Sequence, residues 1–210
     1  MNQNLIYCLC GITAYLFGAI PFGLLAAKSK GIDIRTAGSG NIGATNVLRV
    51  MGKKWGILVL LLDAMKGFIP AKFFPILAAS QAENINIQGL GVACALLAVA
   101  GHNWPVYLKF KGGKGIATTA GALLGFAPAA LGTGLAAWII VFAISKYVSL
   151  ASITAALVIP TYAWIMYRSD GFLIPIILTL LGTVAIIRHK ANISRLLSGT
   201  ESKIEKKRDA

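Results

Sequence analysis

A chain of 210 residues, 57% hydrophobic and 13% charged with mean hydropathy +0.74, cannot keep its apolar side chains from water as a soluble globule. This composition predicts an all-α, polytopic integral membrane protein. The net charge of +13 does not point to nucleic acid, because the basic residues lie between apolar spans, where the bias of Lys and Arg toward cytoplasmic loops accounts for them.

Residues 5–27 form the first predicted span. It lacks a basic leader and a convincing cleavage site, so it reads as a retained helix that tolerates Gly18 and Pro21. Lys28, Lys30 and Arg35 follow, then a polar stretch at 38–49, GSGNIGATNVLR, then Lys53 and Lys54. The second span, 56–80, carries Asp63, Lys66 and Lys72. Asp63 and Lys66 share a helix face, either as a buried ion pair that sets packing or as a direct substrate contact. The loop at 81–88 has no basic residue. A third span at 88–108 ends in GHNWPVYLKF, followed by Lys109, Lys111 and Lys114; His102 there reads as a structural hydrogen-bonding histidine. Cys8, Cys10 and Cys94 lie inside apolar segments and read as packing residues, whose surroundings disfavour a reactive thiolate.

Residues 116–145 are too many for one ordinary span and few for two of ~20 residues each. Gly125, Pro128, Gly132 and Gly134 favour a turn in the middle, hence two short helices. Spans at 148–167 and 172–187 complete the chain, with Arg168 and Asp170 between them. With the hairpin counted as two, the prediction is seven transmembrane helices in a single domain over 1–210, the N-terminus outside and the C-terminus cytoplasmic. Every Lys and Arg except Lys66, Lys72 and Arg168 then lies on the cytoplasmic side. The residues after 204, rich in charge, read as a solvated run.

This topology brings three polar stretches to one membrane face: 38–49, 109–119 (KFKGGKGIATT) and 188–204 (RHKANISRLLSGTESKI), together with Lys146 and Ser149. Glycines let backbone N–H groups approach a ligand, short amides and hydroxyls complete its shell, and Arg49 offers a fork suited to phosphate or carboxylate. The GGKG at 112–115 departs from a Walker loop, since Gly115 stands where Ser or Thr is required. Freed N–H groups, a lysine and a helix N-terminus nonetheless suit an anion. On a helix, His189, Asn192 and Arg195 would share a face, serving as a phosphate clamp or as the basic side of an interfacial helix. The seven acids and two histidines show no metal-ligand spacing and no paired carboxylates. Neither histidine is followed by aspartate at the fifth position, where Tyr107 and Ser194 stand, so the HxxxxD arrangement of acyltransferases that use acyl-CoA is missing.

Together the three stretches, with KYVSLASI at 146–153 and DAMKG at 63–67, closely resemble the PlsY family, the acyl-phosphate-dependent glycerol-3-phosphate acyltransferases of bacterial membranes. The resemblance runs in order along essentially the whole chain. It implies transfer of a fatty acyl group from acyl phosphate to the 1-hydroxyl of sn-glycerol 3-phosphate, giving 1-acylglycerol 3-phosphate and phosphate. It further implies a multi-pass protein of the cytoplasmic (inner) membrane, with the active site on the cytoplasmic side. No cofactor, metal, nucleic acid or obligate protein partner is expected; the partners are the two substrates and membrane lipid.

By this resemblance Ser39, Arg49, Lys114, His189 and Asn192 are the expected catalytic residues, and Gly112, Gly113 and Gly115 belong to a phosphate-binding loop. Asn41, Thr45, Asn46, Lys111, Ser149, Ser152 and Arg195 are expected substrate contacts. Asp63, Lys66 and Glu201 are expected structural residues, Glu201 ordering the third stretch. Two phosphorylated substrates bring up to about four negative charges, which cations must balance. The proton of the attacking hydroxyl passes to a phosphate oxygen of the donor in one reading and to His189 in the other. Two rival functions remain: a transporter for a phosphorylated metabolite, disfavoured because the polar residues crowd one end, and a non-catalytic lipid-binding scaffold.

Overall fold

The computed structural model describes residues 2–204, and the charged run expected after 204 lies outside the described residues. Every regular element among them is helical: α1 (Gln3–Gly18), α2 (Phe22–Lys28), α3 (Ala44–Met51), α4 (Lys53–Ala79), α5 (Ile87–Asn103), α6 (Ile116–Phe126), α7 (Pro128–Ser145), α8 (Val148–Met166), α9 (Leu173–Arg188) and α10 (Lys190–Leu197), with short 3-10 turns at Val106–Leu108 and Arg168–Asp170. They gather into two compact units, the first ending at Pro128 and the second beginning at Ala129.

In the first unit, small residues set how closely the helices meet. A side chain added at Gly67 would collide with the Thr118 carbonyl, and one at Gly121 with the Ala64 carbonyl, so α4 and α6 cross backbone to backbone. Gly18 and Gly101 do the same for α1 and α5, against Ala98 and Tyr15. The α1–α2 run breaks at Ala19–Pro21, where proline cannot donate the hydrogen bond that would continue the helix. Asn86 starts α5 by accepting from Gly89 N at 2.9 Å. At the end of the unit nearest that cap, Gln3 donates to the Asn84 carbonyl and the Tyr7 hydroxyl accepts from Asn86 N. The opposite end holds the loop before α3, the start of α4 and the 106–108 turn. There Leu108 packs on a core of Leu24, Ala27, Ile34, Ile42, Val47 and Val59.

In the second unit, Gly182 lies against the Ala156 carbonyl and lets α9 close on α8. Helix α10 departs from α9 at 57°. The segment after α10 returns to the start of α8, where Ile204 N donates to the Lys146 carbonyl at 3.1 Å and Lys203 Nζ stands 5.3 Å over the Tyr147 ring.

By length and apolar composition, four helical runs among the described residues suffice to cross a bilayer: Gln3–Lys28, Ile87–Leu108, Pro128–Ser145 and Val148–Met166. The bent pair α9–α10 would make five. The difference from seven has two physical sources. Helix α4 has the length, at 27 residues, but carries Asp63, Lys66 and Lys72 within its apolar stretch, and α6 has only 11 residues. The expected division of 116–145 is present as a break at Ala127, leaving α6 short and α7 at 18 residues.

Candidate active site

The first polar stretch is folded around one amide. Asn46, 2% exposed on α3, accepts from Ser39 N at 2.8 Å, and its Nδ2 faces the carbonyls of Ile34, Ala37 and Asn41 at 3.2, 3.0 and 2.9 Å. An amide has two N–H groups, so these three acceptors use them fully. Asn46, expected among substrate contacts, therefore spends its polar atoms on the loop. Asn41 Oδ1 similarly accepts from Gly43 N at 2.8 Å, just ahead of α3. Ser39 is exposed, Thr45 and Arg49 are half-buried, and Arg49 stands in the last turn of α3. Arg35 is committed to Asp33 by two side-chain hydrogen bonds of 2.9 Å, which hold the Asp33 carboxyl down at about 2.

The second stretch lies on the end of α5. Gly113 N donates to the His102 carbonyl at 3.1 Å. Gly112 is wedged against the carbonyls of His102 and Asn103 and the Pro105 ring, and Gly113 against the His102 imidazole. Gly115 adopts φ +80 and begins α6, a left-handed position that excludes a side chain at little cost only for glycine. Lys114 is half-buried and Lys111 exposed. Asn103, absent from the sequence-based site, is 1% exposed, and its Oδ1 faces Gly115; adjacency to His102 was its one sequence signal.

Beneath this loop, Asp63 and Lys66 form an ion pair of 2.8 Å with side chains 3% and 2% exposed. Lys66 Nζ also donates to the Ile20 carbonyl at 2.8 Å, at the α1–α2 break, and lies 5.6 Å over the Phe22 ring. Its polar contacts are to Asp63 and the Ile20 carbonyl.

In the second unit, Glu201 collects the third stretch. Its Oε1 accepts from Ser149 Oγ at 2.8 Å and Asn192 Nδ2 at 2.7 Å, and its Oε2 from Arg195 Nε at 2.6 Å. Burial opposes ionisation of this carboxyl, but the donors from Asn192, Ser149 and Arg195 outweigh it and hold Glu201 below the ordinary glutamate value of 4.5. Asn192 and Arg195 thus converge as the helical spacing predicts. His189 precedes them as the N-cap of α10, where its carbonyl accepts from Ile193 N at 2.9 Å. It sits at the α9–α10 junction, 2% exposed, with Nδ1 2.8 Å from the Ala185 carbonyl. A carbonyl only accepts, so Nδ1 carries the hydrogen and the neutral ring presents Nε2 as an acceptor. Ser152 donates to the Val148 carbonyl at 2.8 Å and accepts from Trp138 Nε1 at 3.1 Å, which ties its hydroxyl to α7–α8 packing. Among the described residues, no three His, Cys, Asp or Glu side chains are grouped to hold a metal ion.

Helical runs of this length and apolarity define a multi-pass membrane protein. The family described as Glycerol-3-phosphate acyltransferase matches residues 8–199, and the chain belongs to it. It is 48% identical over 198 residues to the glycerol-3-phosphate acyltransferase of Desulforamulus reducens, covering 94% of each chain. It is also 43% identical over 190 residues to that of Aquifex aeolicus, covering 90% of this chain and 95% of the relative. Two crystal structures of PlsY, an integral membrane glycerol 3-phosphate acyltransferase, share the fold. The glycerol 3-phosphate form aligns with TM-score 0.84 and 40% identity over 95% of this chain and 96% of the other. The lysophosphatidic acid form aligns with TM-score 0.81 and 39% identity over 95% of each.

Proposed function

We propose that this protein transfers a fatty acyl group from acyl phosphate to the 1-hydroxyl of glycerol 3-phosphate. The observation that carries the reading is the likeness, at 40% identity over nearly the whole chain, to a PlsY structure in its glycerol 3-phosphate form. The glycine loop on α5 and α6 supports it chemically, since its N–H groups and Lys114 suit a phosphate. In this reading Gly112, Gly113, Lys114 and Gly115 hold the phosphate of glycerol 3-phosphate, with Lys111 nearby. Ser39 and Arg49 are polar groups of the same reaction site, Arg49 suited to a substrate phosphate. Asn41, in the same loop as Ser39, and Thr45, in the first turn of α3, supply further polar contacts.

Acyl phosphate is already activated, so the protein's contribution is alignment and charge stabilisation. The glycerol hydroxyl oxygen bonds to the acyl carbon, the bond from that carbon to the phosphate oxygen breaks, and the hydroxyl proton ends on the departing phosphate. His189 donates to phosphate as an imidazolium, a state that neighbouring anionic substrate favours. The decisive assay offers purified protein glycerol 3-phosphate with palmitoyl phosphate or with palmitoyl-CoA, each with and without a chelator. Lysophosphatidate is expected from the phosphate donor alone, chelator or not. Turnover with palmitoyl-CoA free of acyl phosphate would overturn the donor assignment, and metal-dependent turnover the metal-free mechanism.

His189→Gln separates donor from base. If a phosphate oxygen takes the proton, the variant keeps measurable kcat, because glutamine still donates a hydrogen bond. A loss of ~10²–10⁴-fold in kcat, the range for removing a general base, in a folded variant that binds both substrates would reject the substrate-assisted route.

The Lys and Arg distribution supports seven spans with a cytoplasmic active site in the bacterial inner membrane, α4 and α6 counting as spans despite charge and length. Single cysteines at Ser29 and Ser202 on a cysteine-free background are expected to react from the cytoplasmic side, and one at Asn84 from outside. Opposite accessibility of positions 29 and 202 would sink this topology.

A further inference from the structure

We propose that His102 is a positioning residue for the 112–115 loop, held between the buried Asp63 carboxylate on one side and Gly113 on the other. Three contacts meet at this one residue. Its Nδ1 lies 3.8 Å from Asp63 Oδ1, and both side chains are nearly inaccessible, 5% and 3% exposed. Its carbonyl accepts the Gly113 N–H at 3.1 Å. Its ring edge at Nε2 abuts Gly113 so closely that a methyl group there would overlap the imidazole. Asp63 is itself held by Lys66, and Lys66 by the Ile20 carbonyl. The loop thus sits on a ring that cannot retreat, because behind it stands an ion pair buried among α1, α4 and α5.

A ring fixed in this way sets the backbone position of Gly113, whose N–H is taken by the His102 carbonyl, and through it the direction of the next N–H, that of Lys114. The consequence is specific to one substrate. A misplacement of about 1 Å in a positioning element can cost ~10²-fold, and here the loss falls on whatever the loop holds. On the reading above that ligand is glycerol 3-phosphate, and the inference rests on that reading. It assigns the reacting proton to no atom of His102.

The test is a pair of substitutions, alone and together, read by turnover and by calorimetric binding of glycerol 3-phosphate without donor. His102→Ala is expected to weaken glycerol 3-phosphate binding and raise its KM by ~10–100-fold, with the KM for palmitoyl phosphate changing less than about twofold. His102→Gln, which returns a polar group to the Nε2 position, is expected to recover at least half of the loss on a logarithmic scale. Gly113→Ala is expected to damage binding in the wild-type background and add little in His102→Ala, because the overlap is with the ring. Independent, additive losses would overturn the proposal, as would equal rises in both KM values or an unchanged glycerol 3-phosphate KM. If His102→Ala is not recovered folded, Gly113→Ala is compared in wild type and in His102→Ser, and additivity there overturns it equally. A wild-type protein that binds glycerol 3-phosphate but transfers no acyl group refutes the reaction alone, and the binding data still decide the positioning role. A wild-type protein that binds none refutes both.

Discussion

Replacing Lys66 with methionine is expected to destabilise the protein by about 3–5 kcal/mol, the range for leaving a buried charge without its partner. Asp63 would remain in the helix interior, and the Ile20 carbonyl would lose the ammonium that now donates to it. Changing both partners, Asp63→Leu with Lys66→Met, removes the stranded charge and is expected to cost much less than the single change. Thermal unfolding in detergent, followed by circular dichroism, measures the difference. A double variant as unstable as Lys66→Met would show that the pair's charge is not what the single substitution exposes.

The second large effect is expected at Glu201. Glu201→Ala leaves Ser149 and Asn192, both buried, without their acceptor. Stranding two such donors costs roughly 2–4 kcal/mol together. Arg195, with its side chain 39% exposed, can turn to water and adds little. Because the folded protein holds the Glu201 carboxyl below 4.5, the glutamate's stabilising contribution is fully present above that value and is lost as pH falls through the folded one. The gap in stability between wild type and Glu201→Ala should therefore narrow on acidification from just below pH 4.5 and remain constant above it. A gap that widened with acid would contradict the charged-acceptor role.

Sequence patterns carried the helical architecture because glycine and proline mark its interruptions. The division at Ala127 was legible from Gly125 and Pro128, whereas the break at Ala19–Pro21 was not, because Gly18 and Pro21 read as residues that one continuous span tolerates. The three-residue spacing of Asn192 and Arg195 correctly placed them together, since one helical turn separates them. His189 stands at the 57° bend between α9 and α10, which three-residue spacing on one helix does not reveal. The structural part played by Asn46 was not legible for another reason. Its residue type suits a ligand as well as a loop, and only the carbonyls of Ile34, Ala37 and Asn41 around it reveal which it serves. Membrane spans could not be counted in full from apolarity, because α4 carries Asp63 and Lys66, buried against each other, the second also donating to the Ile20 carbonyl.

Those hidden charges bear on how the chain is made. An aspartate or lysine at the middle of an isolated helix costs about 2.5–3.5 kcal/mol to insert, so α4 is a poor candidate for entering the bilayer by itself. Synthesis proceeds from the N-terminus, and the Ile20 carbonyl has left the ribosome before Lys66 is made, whereas His102 emerges afterwards. The break in the first span thus supplies a ready acceptor for the incoming ammonium, and Lys66 brings its carboxylate partner three residues ahead of it on the same nascent helix. Insertion of α4 becomes a cooperative event with the preceding span, and both emerge ahead of the glycine loop at 112–115.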